Sequence, residues 1–551
     1  MTDTQMTLQN TQFDDALALT LYVVQQQTGY PLDQLAADAE FETDLGIDSI
    51  VQLEITADLL ARCGLPADSG KLSGAASIDE LARKLARALD GRPVPAPPTA
   101  KGQGKTATDG ELLDMLLKTP HKAPKETPTF PAPTAETRTM RDFADMPHRD
   151  LFHKVEAFDA FYKTQRDVGF YWYGMPLEGP CQNRAVIHDE VSGLRTEFLM
   201  FASNNYLGLA NDPRVIEAIR DAASRYGATN TGCRLIGGSN VLHKELERKL
   251  AELKGTEDSI VFPSGYSANV GTISALMGSR DIVFTDALNH MSIQDGCKLS
   301  GASRRIYQHT TGALERALER SADADGGRLI VTDGVFSMHG DIVDLPRVVE
   351  LARKYDAKVL VDDAHSTGVL GKTGSGTSEH FGLKGQIDLE LGTFSKTLAG
   401  VGGFVAARAD VVEYLRFYAN SYVFAATIPA HVAAGLIASI DIMKSEPQRI
   451  ETLWRNIGHL KSKLLKAGFD LGETQSAILP IVIGDDRKTL EMGRAVRARG
   501  MFCQTVVFPG VAVGDARLRI SVTSEHTLED LDLAAQIVVD SAEEVGVQTH
   551  V

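Results

Sequence analysis

The 551-residue chain has few cysteines, two tryptophans and no long apolar run. Its five cysteines (Cys63, Cys181, Cys233, Cys297 and Cys503) form no CxxC or CxxH spacing. That argues against a disulfide framework and a zinc site, and fits a reducing, cytoplasmic setting. No stretch of about 18 apolar residues occurs, so no membrane span is expected. The opening MTDTQMTLQNTQFDD lacks a basic region followed by an apolar one and does not read as a secretion signal. Positive charge is also short. Lys and Arg total 56 against 73 Asp and Glu, a net charge of −17, which makes nucleic acid an unsuitable partner. What is present, 43% hydrophobic and 23% charged residues, is the composition of a globular protein. The length calls for two or three folded units.

Three zones are expected. Residues 12–91 read as a compact helical unit. Residues 1–92 hold fifteen Asp/Glu and six Lys/Arg, nine of the excess negative charges, a face suited to basic patches on partner enzymes. Residues 92–145 read as a flexible linker, rich in Pro, Ala, Lys and Thr and unable to bury a core. The apolar patch Glu111–Lys118 interrupts it, either as a transient helix or as a docking segment. Residues 146–545 alternate short apolar runs (SIVF, DIVF, RLIVTD, KVLVDD) with amphipathic stretches such as RVVELARKYD. This predicts parallel strands with helical crossovers.

In FETDLGIDSIVQLEITADLL, Phe41–Leu60, an acidic, glycine-containing loop gives way to Ile50, Leu53, Ala57 and Leu60 at helical spacing. A helix therefore starts near Ser49. On these residues alone, Asp48 or Ser49 is an N-cap. A hydroxyl at a helix start can also carry a phosphodiester, because the N-terminus favours negative charge.

Further along, LGTFSKTLAGVGGF sets Lys396 among Thr393, Ser395 and Thr397. Alone it reads as an exposed cation. Partly desolvated, it becomes a neutral amine able to form a Schiff base. KVLVDDAHSTGVLG ends an apolar strand in Asp362, Asp363 and His365, where α/β folds place ligand sites; either Asp is a candidate anion. VFPSGYSANVG runs a strand into Gly265 and Tyr266 at a helix start, a phosphate-binding arrangement. FTDALNHMSIQDG carries His290.

DLGIDSI, with flanking helices expected at Asp14–Thr28 and Ser77–Leu89, resembles the phosphopantetheine attachment motif of acyl carrier proteins of the polyketide-synthase type. Residues 150–545 resemble the α-oxoamine synthases among fold-type I pyridoxal-phosphate enzymes. Their motifs here are FASNNYLGLA, GCRLIGGSNVLHKELE, FPSGYSAN, DGVFSMHGD, VDDAHSTG, TFSKTLAGVGG and ARLRISVTSEH. The resemblance implies an all-α four-helix carrier domain, then an aspartate-aminotransferase-like α/β domain (large part 200–430) with a small C-terminal α/β domain (431–545). It implies 4′-phosphopantetheine on Ser49 and pyridoxal 5′-phosphate on Lys396. Asp362 would face the pyridine nitrogen, His365 the phenolic oxygen, and His290 the ring, with Ser337 near the ring oxygen. Gly265, Tyr266 and Thr393 would hold the phosphate, and Thr427 the phosphate of a neighbouring subunit. Asn204 and Arg519 would hold the amino-acid carboxylate; Arg517 lies two residues away on the same strand face, and periodicity does not separate the two.

Four positions depart from the family pattern: His339 for Asp in SMDGD, Ala430 for the second proline of LPP, Ala426 for a hydroxyl residue, and Ala512 for a proline. None removes a catalytic group. The implied reaction is decarboxylative condensation of an amino acid with an acyl thioester, giving an α-aminoketone in a homodimer. The donor is the fused carrier or, as an alternative, coenzyme A. A second alternative is a fold-type I transaminase. A phosphopantetheinyl transferase and acyl-loading or polyketide/fatty-acid synthase enzymes are the implied partners. A flexible tether of this length spans about 35–40 Å and raises the local concentration of the acyl group.

Overall fold

The computed structural model describes residues 3–28, 35–41, 44–45, 47, 49–65, 72, 74–89, 92–95, 131, 136 and 138–549, without the side chains of residues 3–12, 49–51, 53 and 54. Asp48, the Glu111–Lys118 patch, most of 92–137 and the side chain of Ser49 lie outside the described residues. The chain divides into two compact units, Met1–Thr119 and Pro120–Val551.

In the first unit the described helices are Asp3–Thr28, Ser49–Arg62 and Ile78–Leu89. The middle one opens at Ser49, where the apolar period begins. Ile78–Leu89 buries Ile78, Leu81, Ala82, Leu85, Ala88 and Leu89, a stripe at i, i+3, i+4 and i+7. That stripe packs with Leu19, Val23, Phe41, Ile55 and Leu59 into one core.

In the second unit the helices Arg141–Ala144 and His153–Asp167 precede an antiparallel pair, β1 (Arg184–His188) and β2 (Arg195–Met200). Then come β3 (Asp258–Phe262), β4 (Ile282–Asp286), β5 (Ser303–Tyr307), β6 (Arg328–Asp333), β7 (Lys358–Asp362), β8 (Leu389–Thr393) and β9 (Gly403–Ala407). They form one seven-stranded sheet in the order β3-β9-β8-β7-β6-β4-β5. The C-terminal part adds β10 (Ile478–Gly484), β11 (Met501–Phe502), β12 (Gln504–Val506) and β13 (Ala516–Ser521). β13 lies antiparallel between β10 and β12, and β11 joins β2 in parallel.

The expected parallel sheet is present from β5 through β8 but not at β9, which runs antiparallel to both neighbours. The cause is the connection. β8 passes to β9 through Phe394–Gly402, the segment carrying Lys396. It is too short for a helical crossover, so the chain turns straight back. The inner parallel strands are buried on both faces, β4 and β8 along their whole length, as continuous apolar runs require, whereas the edge strand β5 is exposed except at Tyr307. Their C-terminal ends release Ser264, His290, Asp333, Asp362 and Thr393 along a single edge. No helix among the described residues is long and apolar enough to cross a membrane.

Behind that edge lies a buried charge cluster. Lys254 Nζ sits 2.6 Å from Asp363 Oδ2 and 3.4 Å from Glu390 Oε2, and also donates to the Ser375 carbonyl. Asp363 accepts from Thr377 Oγ1 at 2.6 Å. Lys254→Met would leave two buried carboxyl groups without their cation and should cost about 3–5 kcal/mol. Removing the exposed Lys358–Asp388 pair (3.1 Å) by Lys358→Met should cost under about 1 kcal/mol. Denaturant midpoints of the two variants check the contrast.

Candidate active site

A cavity of about 240 Å³ opens at the C-terminal edge of the sheet. It brings together eight of the residues singled out in the sequence: Gly265, Tyr266, His290, Ser337, Asp362, His365, Thr393 and Lys396. Asn204 and Arg519 stand behind its Ser337 wall. Thr427 lies outside it, its backbone N–H donating to the Gly232 carbonyl at 3.2 Å.

The two candidate aspartates separate cleanly. Successive residues of a strand face opposite ways, so Asp363 joins Lys254 and Asp362 faces the cavity. Asp362 is 4% exposed. Asn269 Nδ2 donates to its Oδ2 at 2.7 Å and the Ala364 N–H to its Oδ1 at 3.0 Å, which fixes both oxygens and leaves lone pairs for a ligand. His365 is buried, its Nδ1 2.8 Å from the Tyr206 hydroxyl. Burial holds this imidazole well below its ordinary range, helped by the charges of Lys396 and Arg519. It is neutral at pH 7.

His290 presents its ring to the cavity while its Nδ1 lies 2.7 Å from Ser292 Oγ. Its backbone N–H donates to Asp333 Oδ2 at 3.1 Å. Burial lowers its pKa, with Asp362 opposing. Asp333 sits opposite Asp362 in the β6–β7 register; burial and that neighbouring carboxylate push it well above the usual carboxylate range. Lys396 is half-buried. Burial pushes its amine down to about 8 against the pull of Asp362, with the Arg519 charge adding to the drop. A lysine so placed has an appreciable neutral fraction, as carbonyl capture requires.

At the other end, Ser264 caps the helix Gly265–Leu276. Thr393 Oγ1 lies 3.1 Å from Ser395 Oγ. Gly265 packs so closely on Thr393 that a Cβ there would fall 2.9 Å from the threonine Cβ. Helix N–H groups and two hydroxyls converge as a phosphate requires. Tyr266 contributes backbone here, since its phenol is bound to the Asp295 carboxylate outside the cavity.

Arg517 and Arg519 are both 2% exposed yet differ in state. Arg517 is paired with the Asp515 carboxylate and donates to the Met338 carbonyl at 3.0 Å. Among the described residues Arg519 meets only neutral groups, including the Ser337 carbonyl, Asn204 Oδ1 at 3.4 Å, Gln504 Oε1 at 3.0 Å and Ser521 Oγ at 3.2 Å. Arg519 is thus the guanidinium with capacity for an incoming carboxylate.

Five further cavity or support residues escaped the sequence reading: Tyr206, Asn269, Ser292, Asp333 and Gln504. Asp333 carried a usable signal, since RLIVTD ends in Asp just as KVLVD does. Asn269 is a buried polar residue in a helix of small side chains; the others have no local signature.

The cavity fits pyridoxal phosphate. It offers an amine of lowered pKa, a fixed buried carboxylate and a phosphate cradle in one cavity. Known proteins agree. Residues 196–538 match the aminotransferase class I and II family, and residues 22–85 the phosphopantetheine attachment site. The chain is 59% identical over 535 residues to the 4-hydroxy-2,2′-bipyrrole-5-methanol synthase PigH of a Serratia species, covering 97% of this chain and 81% of that one. It is 43% identical over 374 residues to the serine palmitoyltransferase of Sphingobacterium spiritivorum, 68% of this chain and 92% of that one. A solved serine palmitoyltransferase containing PLP superposes with a TM-score of 0.69 at 33% identity, over 73% of this chain and all of that one. The chain belongs to the α-oxoamine synthase family of fold-type I pyridoxal-phosphate enzymes, with a phosphopantetheine-bearing carrier domain ahead of the catalytic domain.

Proposed function

We propose that this enzyme condenses serine with a 3-oxoacyl thioester ending in a pyrrole-type ring, releasing carbon dioxide and the thiol. The observation that carries the condensation is Arg519: a buried guanidinium beside the lysine cavity with no carboxylate partner among the described residues. The substrates follow from the product for which the 59% identical relative is named. Serine nitrogen becomes the new ring nitrogen, and its α-carbon and side chain become C5 with its methanol group. The thioester carbonyl becomes the hydroxyl-bearing C4, and the 3-oxo carbon closes on the amine with loss of water.

Pyridoxal phosphate, when bound on Lys396, supplies the electron sink that makes the α-carbon nucleophilic. Asp362 is the anion that the pyridine nitrogen requires. Gly265, Tyr266 and Thr393 hold the phosphate, His290 faces the ring, and His365 and Ser337 flank its oxygen. Arg519, oriented by Asn204, takes the serine carboxylate. Lys396 moves the proton at the α-carbon. Ser49 carries the arm that presents the acyl group, which requires a phosphopantetheinyl transferase and an acyl-loading enzyme. We assign the carrier to 12–91, the tether to 92–145 and the synthase to 146–545, in a cytoplasmic homodimer. Thr427, outside its own chain's cavity, suits a second copy's phosphate site.

Three outcomes are expected. With serine, Ser49→Ala should abolish turnover of carrier-bound acyl groups and leave turnover of free coenzyme A thioesters intact; equal activity of variant and wild type on acyl-loaded samples would give the carrier to another synthase. Arg519→Ala should raise KM for serine about a hundredfold, the worth of one buried charge-assisted pair of about 2–3 kcal/mol, in initial-rate measurements. Capture of pyridoxal phosphate by cofactor-free protein needs the neutral amine. Its rate should therefore rise with pH, from about a tenth of maximum at pH 7 to half near pH 8, and vanish in Lys396→Ala, read by absorbance.

A further inference from the structure

Beyond Arg519 lies a second cavity of about 280 Å³. Arg519 donates to the Ser337 carbonyl on one side and to Gln504 Oε1 on the other. Ser337 lines the lysine cavity and Gln504 lines the second one, so one guanidinium stands between the two spaces. The walls of the second cavity are aromatic, including Trp172, Tyr173, Phe502 and Phe508. Trp172 and Phe502 meet edge to face with centroids 5.1 Å apart.

Set into this wall is Arg497, 5% exposed. Four arginines are buried among the described residues: Arg234, Arg497, Arg517 and Arg519. Arg234 is paired with Glu247 and Arg517 with Asp515. The other two have no carboxylate partner among the described residues, and they line or flank the same cavity. Arg497 donates to the Gly169 carbonyl and lies 5.2 Å from the Trp172 ring centroid, and its Nε has no acceptor among the described residues. Burial pushes its pKa down to about 10, so it remains a cation at neutral pH. The buried Asp189 carboxylate acts on Arg497 only at longer range; a buried cation with no carboxylate in contact is costly to fold, and electron-rich ring faces and carbonyl oxygens are the groups that complement it.

We propose that this cavity seats the ring of the acyl donor, packed against Phe502 and the aromatic wall around it, with its adjacent carbonyl oxygen on Arg497. The assignment rests on the condensation reading, which puts the serine carboxylate on Arg519 and the acyl group beside it.

The probe is 2-acetylpyrrole, which has the ring and the carbonyl but no thioester, so its binding needs no turnover. Ligand-observed NMR titration of the full-length holoenzyme should show binding at least tenfold tighter than pentan-2-one. Arg497→Gln should weaken it at least tenfold. So should Phe502→Leu, a half-buried wall change that keeps the apolar packing if loss of Arg497 unsettles the fold. Absence of a preference for the ring, or unchanged affinity in both variants, overturns the proposal. Failure of the condensation reading would appear separately, as serine that releases no carbon dioxide.

Discussion

The lysine cavity depends on two adjacent aspartates at the end of β7 pointing opposite ways. Asp363 is drawn under the sheet edge by Lys254, with Thr377 completing its bonding. Asp362 is thereby left to the cavity, pinned by Asn269 and the Ala364 N–H. The surrounding electrostatics follow from that placement. One fixed anion pulls on Lys396, yet burial and Arg519 still bring its amine down to about 8. His365 stays neutral, and Asp333, opposite Asp362, is pushed towards its protonated form. A cofactor with a basic ring nitrogen, an aldehyde and a phosphate meets a complementary group at each point.

The same economy of charge recurs on β13. Arg517 and Arg519 share a strand face and differ in partners: Asp515 occupies the first, and among the described residues nothing charged is bonded to the second. Unpaired buried arginine is expensive enough that its presence marks where a ligand's negative or polar oxygen belongs. Both arginines also donate to the turn after β6, at Ser337 and Met338, so the small antiparallel sheet and the cavity wall are tied together.

Much of this was legible in the sequence. Apolar runs ending in Asp or Gly located the parallel strands and their functional ends, and the small-residue setting of Lys396 marked the loop. The start of a helix at Ser49 followed from its apolar period alone. What stayed hidden depended on three-dimensional partners. The reversal at β9 comes from the brevity of Phe394–Gly402, which strand patterning does not express. Periodicity could not choose between Arg517 and Arg519, because the choice lies in Asp515; Asp362 was singled out over Asp363 by the family resemblance, while the partner that takes Asp363, Lys254, lies far upstream. Tyr206 and Asn269 act through contacts 159 and 93 residues away. Tyr266 is expected to give a phosphate-binding amide from its backbone; its phenol is engaged by Asp295, away from the cavity.

The central claim is that serine loses its carboxyl group as it takes the acyl group from the arm on Ser49. It is tested most directly by loading the phosphopantetheinylated protein with a 3-oxoacyl group, adding serine labelled at the carboxyl carbon, and counting labelled carbon dioxide against acyl groups lost from the intact protein by mass spectrometry. The account predicts one labelled carbon dioxide for each acyl group lost. Acyl loss without labelled carbon dioxide, or label retained in a keto acid formed from serine, would contradict it.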